Sequence, residues 1–165
     1  MLNKKASGFT LIELMIVMVI LAVLAAVGIN SFVSSQKKSR DSTRKSSLKN
    51  VVTALELYYN DKGKYPADDG AGLIRGCGAD AAPTVCQPGA TFSDANGTVY
   101  MERLPTDPTS KRRYYYRAPS VNQFQIYANL ENDQDPSIIS TAVSCAASTG
   151  SLPCNFGLSS ANITP

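Results

Sequence analysis

The chain has no histidine and no tryptophan among its 165 residues. Without histidine there is no Ser-His-Asp triad, no imidazole base and no imidazole metal ligand, which removes many common active sites. No nucleophile motif takes their place, so no catalysis by this chain is expected. Net charge is small: 16 Lys and Arg against 13 Asp and Glu give +3, a balance that names no partner. Cysteine is limited to four, with no C-x-x-C pair, so the zinc signature is missing as well.

What the sequence does have is one concentrated apolar run. Residues 14–29 read LMIVMVILAVLAAVGI, and only Glu13 separates them from Leu11 and Ile12. From Phe9 to Ile29 the stretch is close to the roughly 20 residues that a helix needs to cross a bilayer. A cleavable secretory signal would also place a basic segment, Met1 to Lys5, before an apolar one. Its apolar region, however, is ordinarily about 7–15 residues long and carries no acidic residue at its start. Charge counting sets Lys4 and Lys5 against Lys37, Lys38, Arg40, Arg44, Lys45 and Lys49, which alone would keep the C-terminal part in the cytoplasm. Four regularly spaced cysteines argue for an oxidising compartment instead.

The string Lys4-Lys5-Ala6-Ser7-Gly8-Phe9-Thr10-Leu11-Ile12-Glu13-Leu14 decides between these signals. It resembles the processing site of type IV prepilins and type II secretion pseudopilins. The resemblance implies cleavage after Gly8 by prepilin peptidase, N-methylation of the new terminal Phe9, and an assembly role for Glu13. It also implies self-association into a homopolymeric filament, an inner-membrane assembly platform, and a single-pass precursor in the cytoplasmic membrane that becomes an extracellular or periplasmic filament. Many members carry Pro where this chain has Asn30. The physics of Glu13 can be argued separately. A carboxylate in an apolar helix costs about 2.5–3.5 kcal/mol on insertion scales, and the amine freed on Phe9 of a neighbouring subunit would offset it. An unpaired charge is penalised, so such a pair would set axial register. Ala22 and Ala26 add a small-xxx-small spacing suited to close helix packing.

Beyond the membrane segment, Leu48, Val51, Val52, Leu55, Tyr58 and Tyr59 recur at helical spacing, and Gly63 with Pro66 signals a stop near Asp61 or Lys62. One helix over about 10–62 would be roughly 80 Å long. The expected layout is a leader (1–8), a transmembrane and assembly helix (9–30), the amphipathic half of the same helix (31–62) and a globular head (63–165). Asn96-Gly97 marks a hairpin within Phe92–Met101. Tyr114–Arg117 and Gln123–Leu130 read as strands, the latter alternating Phe124, Ile126 and Ala128 against Gln123, Gln125 and Tyr127. The fold class is α+β, the long N-terminal helix packing on a small antiparallel sheet of three or four strands.

Cys77, Cys86, Cys145 and Cys154 form two pairs, each nine positions apart. Four cysteines allow three connectivities, of which local pairing, Cys77 with Cys86 and Cys145 with Cys154, is the simplest. Tyr58 to Pro66, and Leu104-Pro105-Thr106-Asp107-Pro108 followed by Tyr114-Tyr115-Tyr116, are similar to stretches of G-type pseudopilins, in which a nearby loop binds calcium. Glu131, Asp133 and Asp135 offer hard oxygen ligands for that ion, against the alternative of a solvated acidic turn. The basic cluster from Lys37 to Lys49 lacks interleaved aromatics and reads as a solvated face rather than a nucleic-acid surface. Asn96-Gly97-Thr98 and Asn162-Ile163-Thr164 match the short N-glycosylation triplet. The function these features imply is a structural subunit of a type IV pilus or related filament. The alternatives are a G-type pseudopilin of type II secretion and a minor pilin whose head binds a ligand such as DNA.

Overall fold

The computed structural model describes residues 8–148 and 150–165, with the side chains of 26–30 outside the described set. The expected leader through Ser7 lies outside the described residues, as do the side chains of Ala26, Gly28 and Asn30. The chain divides into two compact units, residues 1–37 and 38–165.

Helix α1 spans Leu11–Lys62. In the first unit its apolar side chains are exposed on every side, from Leu11 and Ile12 through Met18 and Val19 to Leu24. A helix that is apolar all round buries itself only in lipid or in other protein. Among the described residues no helix is long and apolar enough to cross a membrane.

In the second unit the helix is one-sided. Leu48, Val51, Ala54, Leu55 and Tyr58 are buried, with Val52 and Tyr59 packed beside them. The helix stops where the sequence predicts, because Gly63 adopts φ 67° and its N–H donates to the Tyr59 carbonyl at 2.8 Å. Glycine alone takes that left-handed C-cap without a Cβ penalty.

The strands are β1 (Ala67–Asp68), β2 (Ile74–Cys77), β3 (Thr84–Val85), β4 (Phe92–Ser93), β5 (Val99–Met101), β6 (Tyr115–Ser120), β7 (Gln123–Ala128) and β8 (Phe156–Ser159). They form three small sheets, ordered β1-β2-β3, β4-β5 and β6-β7-β8, rather than one. All the paired strands are antiparallel. The hairpin at Asn96-Gly97 is present between β4 and β5. Asp94 shapes it by accepting the N–H groups of Asn96 and Thr98 at 3.0 and 2.8 Å.

Strand β7 departs from the expected alternation. Residues 124–128 are all buried, because β7 is central and both its faces are covered. Phe124, Ile126 and Ala128 join the main core with the helix, Tyr116 and Phe156. On the other face Tyr127 packs with Cys145 and Cys154, and the Gln125 amide donates to the Thr164 carbonyl at 2.7 Å. Around Tyr58, the rings of Phe92 and Tyr100 lie 5.5 and 5.0 Å away, within the range that adds to burial energy. Disulfides link Cys77 to Cys86 and Cys145 to Cys154, the local connectivity.

Candidate functional sites

In the first unit Gly8, Phe9 and Thr10 precede the helix and are exposed. Glu13 has a local partner that spacing alone had not suggested. Its Oε2 accepts from the Thr10 N–H at 2.8 Å and from Thr10 Oγ1 at 2.7 Å. The Glu13 N–H in turn donates to Thr10 Oγ1 at 3.3 Å. This is a capping box, and the signal that would have found it is T-x-x-E before an apolar run. Glu13 therefore satisfies helix-end donors within its own chain, in addition to any part it takes between chains.

In the second unit the basic stretch divides. Lys37, Lys38 and Lys49 are exposed, as expected of a solvated face, but Arg44 is wholly buried. Its Nε and Nη2 donate to the two oxygens of Asp107 at 2.8 Å each, a two-pronged pair. Its Nη1 donates to Asp41 Oδ1 and Glu131 Oε1, both at 2.8 Å. Arg40 grips Glu131 with two further bonds of 2.8 and 2.7 Å. The second oxygen of Asp41 accepts from the backbone N–H groups of Glu131 and Asn132 at 3.1 and 2.8 Å. One helical turn thus fastens the loop at Asp107 and the loop at Glu131 to α1. Sequence reading missed this network because a run of Lys and Arg carries no mark of which member will be buried.

The electrostatics follow from that geometry. Burial disfavours the charged Arg44, but Asp107, Glu131 and Asp41 outweigh it and hold the guanidinium more firmly protonated than usual. Arg40 holds the Glu131 carboxyl at about 2, against the opposing effect of burial and with help from Arg44. Burial raises Asp107 toward the neutral acid, yet the hydrogen bonds from Arg44 and Thr109 bring it below its ordinary value. A second cluster lies at the helix C-terminus, where Lys62 Nζ meets Asp94 at 2.8 Å and Asp80 at 3.0 Å. Lys62 holds Asp94 at about 2.

The three carboxylates expected as calcium ligands have different surroundings. Glu131 faces Arg40 and Arg44, Asp135 is paired with Lys45 Nζ at 2.7 Å, and Asp133 is exposed. Among the described residues no group of three or more acidic or cysteine side chains is arranged to hold a metal ion.

The Gly8-Phe9 motif, an apolar helix and an α+β head pinned to the later part of that helix define a prepilin-type subunit. Comparison with known proteins agrees. The prokaryotic N-terminal methylation motif matches residues 3–29, and the family described as type II secretion system protein G matches residues 31–137. The chain belongs to that family. The type II secretion system core protein G of Pseudomonas aeruginosa is 31% identical over 129 residues, 78% of this chain and 85% of that protein. The type IV major pilin protein PilA of Myxococcus xanthus is 43% identical over 63 residues, 38% of this chain but 29% of the pilin. The type IV wide pilus major component PilA4 of Thermus thermophilus is 38% identical over 68 residues, 41% of this chain and 52% of that protein. No solved structure matches the chain.

Proposed function

We propose that the chain is a structural subunit of a type IV-like filament, inserted in the cytoplasmic membrane as a precursor, cut after Gly8 and polymerised through α1. The observation that carries this reading is the exposed apolar surface of residues 11–25 directly behind a methylation motif. Among the described residues that surface has no partner within its own unit, and it is matched to lipid before assembly and to copies of itself afterwards. The head performs no chemistry in this account. On cleavage, the amine of Phe9 becomes available to the Glu13 carboxylate of a neighbouring copy, and the desolvation penalty of leaving either charge alone fixes the stagger. Intact-mass analysis should find a mature chain beginning at N-methylated Phe9. Retention of Met1, or cleavage after the apolar run, would overturn the reading.

Among filament systems, the G-type pseudopilin of type II secretion is favoured by the match over residues 31–137, which takes in much of the head. A pilus subunit is the second reading, favoured by the higher identity to PilA over a shorter stretch. Deleting the gene separates them. Loss of exported proteins with surface filaments intact supports the first, and loss of surface filaments with export intact supports the second.

A further inference from the structure

The fold uses Asn96-Gly97, at the tip of the β4–β5 hairpin, only as a turn. It is the one Asn-Gly step in the sequence. Residues 95–99 are all exposed. Among the described residues the Asn96 side-chain amide has no hydrogen-bond partner, although its backbone N–H donates to Asp94 Oδ1 at 3.0 Å. The Gly97 N–H reaches the Asp94 carbonyl only at 3.3 Å, beyond the usual range of roughly 2.7–3.2 Å. Nothing crowds it: Gly97 has φ 86°, and a Cβ built there would meet no atom within 4 Å.

A free carboxamide is therefore followed directly by an unhindered backbone nitrogen. That nitrogen can attack the side-chain carbonyl carbon to close a succinimide ring, and only glycine supplies it without a flanking Cβ. Three other asparagines are protected twice over. Asn129 accepts from Arg112 Nε and donates to the Pro153 carbonyl, both at 2.7 Å. Asn155 exchanges bonds of 2.6 and 3.1 Å with the Leu130 backbone. Asn162, in the other glycosylation triplet, accepts from Ser160 Oγ at 2.9 Å and donates to the Asn122 carbonyl at 3.3 Å. Each is also followed by a bulky residue, Leu130, Phe156 or Ile163, whose side chain shields the attacking nitrogen.

We propose that Asn96-Gly97 is a self-modification site, deamidated by water in the folded head. The Gly97 nitrogen gives up its proton and bonds to Asn96 Cγ; the Cγ–Nδ2 bond breaks, and ammonia leaves with that proton. Water then opens the ring at either carbonyl, giving aspartate or, where the original backbone bond is the one cut, isoaspartate. Nothing is oxidised or reduced. In isoaspartate the backbone runs through the former side-chain carbons and is one atom longer, so the N–H groups of residues 96 and 98 no longer share Asp94 Oδ1 as they do now. Asp94 Oδ2 also receives Lys62 Nζ at 2.8 Å, so the modification loosens the hairpin's hold on the end of α1.

The inference concerns the head alone and stands or falls separately from filament assembly. The test is incubation of the detergent-solubilised full chain at mildly alkaline and mildly acidic pH, folded and in denaturant, followed by peptide mapping with fragmentation that tells isoaspartate from aspartate. In the folded chain, position 96 should gain the mass of an amide-to-acid change ahead of every other asparagine. The change should be faster at alkaline pH, because the attacking nitrogen must lose its proton, and the isoaspartate form should melt at a lower temperature. Asn96→Gln, which would have to close a larger ring, should stay unmodified and keep its melting temperature through the same incubation. No conversion at position 96, conversion only in denaturant, equal conversion at Asn129, Asn155 or Asn162, a glycan on Asn96 in the isolated chain, or an isoaspartate form that melts like the parent would each overturn the proposal.

Discussion

The stretch from Leu11 to Leu24 and the stretch from Asp41 to Tyr58 belong to one helical element, yet they solve opposite problems. In the first, large apolar side chains are exposed all round and the charged residue, Glu13, sits at the helix start in a capping box. In the second, the apolar side chains occupy one buried face and a charged residue, Arg44, is fully enclosed by carboxylates. Helical propensity does not separate these two stretches. The distribution of apolar surface does: an apolar stripe finds its partner within the head, whereas an apolar cylinder must find one outside the chain.

The largest effect should come from breaking the enclosed charge. Arg44→Leu leaves Asp41, Asp107 and Glu131 with a reduced share of positive charge, and removing one partner from a buried ionic cluster typically costs about 3–5 kcal/mol. Thermal melting of the head should fall steeply, and limited proteolysis should begin in the loops at Asp107 and Glu131. Insertion of the first unit should be unaffected.

Opening the Cys77–Cys86 bridge by a double change to Ser should come next, with a loss of about 2–4 kcal/mol that appears in the melting temperature. Replacing Cys145 and Cys154 by Ser should also expose Tyr127, because that bridge covers the second face of β7.

Acid should act more gradually. Glu131 and Asp94 are each held at about 2, below ordinary values of 4.5 and 3.8. A carboxyl with a lowered folded-state pKa binds protons more readily when unfolded, so its contribution is full above the ordinary value and is lost as pH falls through about 2. Melting temperature should therefore be flat near neutrality and decline below about pH 4.5. A head whose stability rose on acidification would contradict the ion-pair description.

Much of this division was legible in the sequence. The apolar run, the helical face from Leu48 to Tyr59, the stop at Gly63, the Asn96-Gly97 hairpin and the local cysteine pairing each rest on a short-range rule, and short-range rules act through neighbours in the chain. What was not legible depends on long-range placement. β8 is four residues containing a glycine, too short for a periodic signal, and becomes a strand only because β7 offers it an edge. The expected alternation in β7 failed for the same reason, since the chain beyond residue 138 covers the second face. Arg44 looked like its basic neighbours until Asp107 and Glu131, 63 and 87 positions away, closed over it. The capping box was in principle readable, but the unusual position of Glu13 in an apolar run drew attention to its charge and away from Thr10.

Glu13 also gives the most direct test of the central claim, that the first unit is built to pair with other copies of itself. Glutamine keeps the capping box, because its side-chain carbonyl accepts the same Thr10 bonds, but it removes the charge that would meet the Phe9 amine. Alanine removes both, and a lost cap alone costs about 1 kcal/mol. The measurement is filament recovery from sheared cells beside subunit level in membranes, for Glu13→Gln and Glu13→Ala together. The account predicts that both variants insert normally, keep both disulfides and lose filaments to a similar extent. Normal filament recovery with Glu13→Gln would show that Glu13 serves only to cap its own helix, and the inter-subunit charge pair would have to be abandoned.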